Sequence, residues 1–102
     1  MKTPYILCAA IWFKDGIQHE YQPKNIDTGI VVCGRRHHNC YFTAFGLNEG
    51  HVEHLHESNN KAIQGFITSD DRFVNRKEAG QIALASNQIS IATDCLFSED
   101  LY

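Results

Sequence analysis

Arg35-Arg36-His37-His38 is the stretch with the most chemical potential in this chain. Two adjacent arginines stand where a strand gives way to a helix. The first N–H groups of a helix point outward without partners, and a guanidinium can grip phosphate oxygens through two bonds at once. Those residue types at that corner suit a phosphate or pyrophosphate clamp, with His37 as a further polar contact. The competing reading is a solvated corner, since basic residues commonly sit in loops. Arg72-Phe73, with Phe66 upstream, forms a second candidate. An aromatic face can stack on a base, for about 1–3 kcal/mol, while an arginine meets its phosphate. Against that, both phenyl rings are expected in the core, so at most one of them lines a pocket. Asn75 can read an adenine edge or cap a helix, and the cap is the simpler role.

Other constellations are weaker. His51, His54 and His56, with Glu53 and Glu57, supply zinc-type donors. Their spacing is not H-E-x-x-H, and on a strand His51 points away from the other two. A solvent-facing polar stretch is therefore expected, and no metal or cofactor is assigned. Cys40 near His37 or His38 could form a thiolate pair, but no third group orients it, and Cys40 falls on the core side of its helix. Asp70-Asp71 reads as a turn rather than as an acid and base pair. No catalytic set is assigned.

Composition narrows the class. A chain of 102 residues suits one domain, 1–102, with a small core that oligomerisation would reinforce. The hydrophobic fraction of 43% and charged fraction of 21% are those of an ordinary globular protein. A net charge of −3 argues against a polymeric nucleic-acid partner, which needs clustered Lys and Arg, but leaves room for a small anion. There is no apolar run long enough to span a membrane. The start resembles a signal peptide, yet Trp12-Phe13-Lys14-Asp15-Gly16 lacks a small-residue cleavage site, so a cytoplasmic protein is expected. Cys8, Cys33, Cys40 and Cys95 have no paired spacing, three of them lie in apolar surroundings, and they read as reduced thiols acting as small buried apolar residues.

The elements that must position these residues follow from patterning. Strands are expected at 5–13, 17–22 and 29–33, with Lys14-Asp15-Gly16 as a hairpin turn and Pro23 ending the second strand. A helix over 37–47 puts Cys40, Ala44 and Leu47 on one face. Gly65 to Thr68 reads as a strand, Ser69-Asp70-Asp71 as a tight turn, and Arg72-Phe73-Val74 as a short return. Asn75 opens a helix over 76–86, with Glu78 positioned for a capping box and Ala79, Ile82, Ala83 and Ser86 on one face. A last short strand is expected at 89–92, and Ser98 as the cap of a terminal turn. The sum is an α+β fold: an antiparallel sheet of about four to six strands with two helices packed on one face.

The run G-F-I-T-S-D-D-R-F-V-N-R-K-E-A from Gly65, the element Arg36-His37-His38-Asn39, and the ending Ser98-Glu99-Asp100-Leu101-Tyr102 together resemble a set of small phage and prophage proteins. Their pattern is G-F-x-T-S-x-G-R-F-V-D-R-x-E-A with an upstream R-H-H-D and an S-E-D-L-aromatic end. This chain departs from it at Asp71, where Gly is common, and at Asn39 and Asn75, where Asp is common. The pattern is similar to that of the Thoeris anti-defence proteins, sponges that sequester a cyclic ADP-ribose-type immune signal. The resemblance implies a non-enzymatic phage protein in the host cytoplasm that binds a cyclic ADP-ribose isomer or cyclic oligonucleotide without cleaving it. It also implies a homo-oligomer, a hexamer built from dimers. The ligand residues expected are Arg35, Arg36, His37, Phe66, Arg72, Phe73 and Asn75. Two other readings stand beside it: a small His- or metal-dependent phosphodiesterase or nuclease, and a protein-interaction module that inhibits a host factor.

Overall fold

The computed structural model describes residues 3–46 and 62–101. The strand β1 (Ile6–Phe13) is followed by β2 (Ile30–Gly34), helix α1 (His37–Gly46), β3 (Ile63–Thr68), β4 (Phe73–Asn75) and helix α2 (Arg76–Ala85). A 3-10 turn, Ser98–Asp100, lies near the end. The four strands form one antiparallel sheet in the order β2-β1-β3-β4. Both helices pack on the same face, so the α+β architecture is as expected.

Alternation along β1 sets the two faces. Ala9, Ile11 and Phe13 point to the helix side, where they meet Val32, Phe66, Val74, Cys40, Ala79, Ala83 and Leu96 in one buried cluster. Ala10 points the other way and joins Ile67 and Phe73, with Trp12, Val31, Ile63 and Ile26 packed around them. Ile6 belongs to the helix-side cluster although its parity is wrong for it. A register shift between Ile6 and Cys8 explains this: the extra residue flips the alternation and leaves Leu7 half exposed.

The segment 17–22 is not a strand. Both edges of β1 are already taken, by β2 and β3, so an alternating segment after the Lys14-Asp15-Gly16 turn cannot return beside β1 as a hairpin. The chain from 14 to 29 instead crosses the second face, with Ile26 seated on it. Its amide side chains close the sheet edges. Asn25 accepts the Phe73 N–H at 2.9 Å and donates to the Phe73 carbonyl at 2.7 Å. Gln22 accepts the Val31 N–H at 2.8 Å. These bonds blunt two edges that would otherwise be open to pairing with another chain.

The segment 89–92 is not a strand either. Gln88 instead ties this region to the sheet, accepting the Ile6 N–H at 2.7 Å and donating to the Ile6 carbonyl at 2.8 Å. The following chain runs against α2, where Gly80 faces the Thr93 carbonyl so closely that a Cβ would lie 2.3 Å from it. That contact explains a glycine inside a helix, a position that otherwise costs about 1 kcal/mol relative to Ala.

The turn between β3 and β4 is built as the sequence indicates. Asp71 sits at φ 63°, the left-handed region in which the related pattern has Gly. Buried Thr68 accepts the Arg72 N–H at 3.1 Å and donates to the Asp70 carboxylate. Replacing Asp71 with Val forces a β-branched residue into the left-handed region and should cost about 1–2 kcal/mol. Asp71→Gly should stay within about 1 kcal/mol of the wild type, because lost strain offsets added chain entropy. Urea unfolding of both variants checks the pair.

Candidate functional site

The start of α1 is held by its own corner residues. The Arg36 N–H donates to Asn39 Oδ1 at 3.1 Å, while the Arg36 carbonyl accepts the Asn39 and Cys40 N–H groups. This is the reason for an Asn or Asp at that place: its side-chain oxygen closes the first turn. Cys40 then drops into the core, donating to the Ala9 carbonyl at 3.6 Å. Burial pushes its thiol up to about 11, so it stays protonated at neutral pH. The start of α2 is capped as expected, with Asn75 Oδ1 accepting the Glu78 N–H at 2.8 Å. The Glu78 carboxylate does not reach back to Asn75. It binds Arg72 instead, at 3.2 Å.

The two helix starts meet. His37, first in α1, places Nδ1 3.3 Å from an Arg76 guanidinium nitrogen, and Arg76 is first in α2. A guanidinium only donates, so Nδ1 must carry the lone pair. The proton is then on Nε2, which donates to the Gly65 carbonyl at 2.8 Å. The ring also meets Phe66 edge-on, with centroids 5.1 Å apart. Burial is the main reason that the His37 pKa lies below its ordinary value. The Arg76 charge adds to this, while the Gly65 carbonyl and Glu99 oppose it.

Arg76 is the centre of this junction. It donates to the Leu96 carbonyl at 2.6 Å and to the Gln64 side chain, and its guanidinium lies 5.0 Å from the Phe97 ring. Its own carbonyl accepts the Leu96 N–H at 3.2 Å. Arg36, next to His37, reaches the same end segment: its guanidinium is 3.6 Å from the Glu99 carboxylate. The terminal turn differs from the expectation in one respect. Phe97 rather than Ser98 precedes it as the cap residue, because Ser98 is buried and Asp100 Oδ2 accepts the Phe97 N–H at 2.9 Å.

The expected ligand residues therefore divide. Arg36, His37 and Phe66 gather at the junction, although Phe66 is wholly buried beneath it. Arg35 is exposed at the adjoining corner. Arg72 lies in the β3–β4 turn, bound to Asp70 at 2.9 Å and to Glu78. Hydrogen bonding, first from Thr68 and then from Arg72, holds the Asp70 carboxyl below the usual range. Phe73 packs on the opposite face, edge-on to Trp12 at 6.0 Å. Asn75 is the helix cap. The three-histidine stretch lies outside the described residues.

Arg76, Gln64, Phe97 and Glu99 are the members that motif reading passed over. One signal was present. Arg76-Lys77 opens a helix with positive charge, against the macrodipole, so a specific partner must hold it there.

A family model matches residues 5–102, the phage T4 y16D protein family. The chain belongs to that family. No curated protein and no solved structure matches it significantly. The family match covers every member of the junction, from Arg36 to Glu99. Among the described residues, no helix is long and apolar enough to cross a membrane.

The His37 assignment makes stability depend on pH. Below the ordinary value of 6.5 the unfolded chain takes up a proton that the folded imidazole resists. The His37 contribution should be fully present above that value and decline as the pH falls through it. Urea unfolding at about pH 7.5 and pH 5.5 should show a larger loss for the wild type than for His37→Gln.

Proposed function

We propose that this protein is a phage anti-defence protein that binds and sequesters a cyclic nucleotide immune signal, a cyclic ADP-ribose isomer or a cyclic oligonucleotide, and leaves it chemically intact. The observation that carries this reading is the gathering of Arg36 and Arg76 around His37, under a half-exposed Phe97. Two guanidinium groups at two helix starts favour an anion electrostatically. The Glu99 carboxylate stands near Arg36 in that role. A ligand phosphate would replace it, and Phe97 would offer its ring to a base. Arg35 can add charge from the rim. Arg72, held by two carboxylates, is better suited to fixing its turn.

The functional unit in this reading is a homo-oligomer assembled from dimers, with neighbouring protomers enclosing the ligand. The small core of a 102-residue chain is consistent with that. The resemblance of the Gly65–Ala79 run and the Ser98–Tyr102 ending to the signal-sequestering proteins supports the same conclusion.

Titration calorimetry with cyclic ADP-ribose isomers and cyclic oligonucleotides tests the proposal. Wild-type protein should bind one of them, and heat denaturation of the complex should release it intact. Arg36→Ala should weaken binding by about tenfold or more, the value of one charge-assisted hydrogen bond to phosphate. Glu99→Gln should strengthen it, because a competing carboxylate is removed. Failure of every ligand to bind, or recovery of a hydrolysed product, would overturn the reading.

A further inference from the structure

Cys8 and Cys33 are far apart in sequence but adjacent on the sheet. β1 and β2 pair antiparallel with Ala10 opposite Cys33 and Ala9 opposite Gly34. Cys8 is two residues before Ala10, so it lies on the same face as Cys33, one diagonal step away. Each thiol is the largest influence on the titration of the other, which places the two side chains beside one another. The pair is accessible: Cys33 is exposed and Cys8 half-buried. Cys40, by contrast, is buried. The expectation that the cysteines act as buried apolar residues holds for Cys40 and not for Cys33 or Cys95, which are exposed.

We propose that Cys8 and Cys33 form a redox-active dithiol, a modification site that a small-molecule disulfide of the glutathione class converts to an intramolecular disulfide. The electrostatics support the order of events. The neighbouring Cys33 thiol lowers the Cys8 thiol more than partial burial raises it. The same interaction, followed by burial, pushes Cys33 up. A thiolate is the attacking species in exchange. Cys8 sulfur attacks one sulfur of glutathione disulfide, the S–S bond breaks, and one glutathione thiolate leaves. Cys33 loses its proton to that thiolate or to water and attacks the Cys8 sulfur. The Cys8–Cys33 bond forms as the second glutathione leaves and is protonated. The protein dithiol is oxidised by two electrons, and the disulfide is reduced to two thiols.

β2 is an edge strand, so it can make the small shift that closing a diagonal pair requires. Cys33, the thiol beside Cys8 on β2, is therefore the resolving group, and no other chain is needed.

Peptide mapping tests the proposal on the intact protein. Trypsin places each cysteine in its own peptide: 3–14, 25–35, 37–61 and 78–102 hold Cys8, Cys33, Cys40 and Cys95. After incubation with glutathione disulfide at neutral pH and alkylation of the remaining thiols, 3–14 and 25–35 should appear as one linked species lacking two hydrogens. Dithiothreitol should separate them. In Cys33→Ser, Cys8 should instead retain a glutathione adduct. Recovery of both peptides alkylated while Cys95 carries glutathione would overturn the proposal. So would linkage to another cysteine, or a Cys8 in Cys33→Ser that stays unmodified.

Discussion

One guanidinium holds together parts of the chain that otherwise share little. Arg76 opens α2, reaches β3 through Gln64, touches α1 through His37, and fastens the end segment through the Leu96 carbonyl and the Phe97 ring. Its value lies in shape as much as in charge. Nη1 meets the Leu96 carbonyl while Nη2 meets both Gln64 and His37, in fixed directions that an ammonium on a flexible stem does not reproduce. The position is otherwise unfavourable, because a cation at a helix start opposes the macrodipole. Three acceptors and an aromatic face offset that. The same arrangement dictates the His37 tautomer, and the tautomer in turn ties α1 to the Gly65 carbonyl.

A second device recurs around the sheet. Asn25 on Phe73 and Gln88 on Ile6 each use one side-chain amide to accept an N–H and donate to a carbonyl of the same residue. A primary amide carries the donor and acceptor of a peptide group, so it can stand in for one residue of a neighbouring strand. Buried or half-buried backbone groups need partners, and these amides supply them where no strand fits. The result is a small four-stranded sheet whose second face carries, among the described residues, a loop with Ile26 seated on it.

Much of this was legible in the sequence. The strands at β1 to β4, both helices, the Asn75 cap and the left-handed Asp71 follow from local propensity and turn chemistry, which act within a few residues. The alternation at 17–22 and 89–92 was real but misleading. Period two says that one side of a segment is wet; it does not say that a strand edge is free to receive it, and β1 had none left. The site was half legible for the same reason. Arg36 and His37 announce themselves as a cluster, whereas Gln64, Phe97 and Glu99 reach the junction only through the fold. Arg72 looked like the natural second arginine because Phe73 follows it. The turn places two carboxylates on it, while Arg76 stands at the helix start beside His37.

The dependence on a fork-shaped donor is tested most directly by Arg76→Lys, measured beside Arg76→Met in urea unfolding. If the guanidinium geometry holds the junction, lysine should lose nearly as much stability as methionine, about 2–3 kcal/mol, since the acceptors on Leu96, Gln64 and His37 are left unmatched in both. A lysine variant as stable as the wild type would contradict the account, because positive charge alone would then suffice.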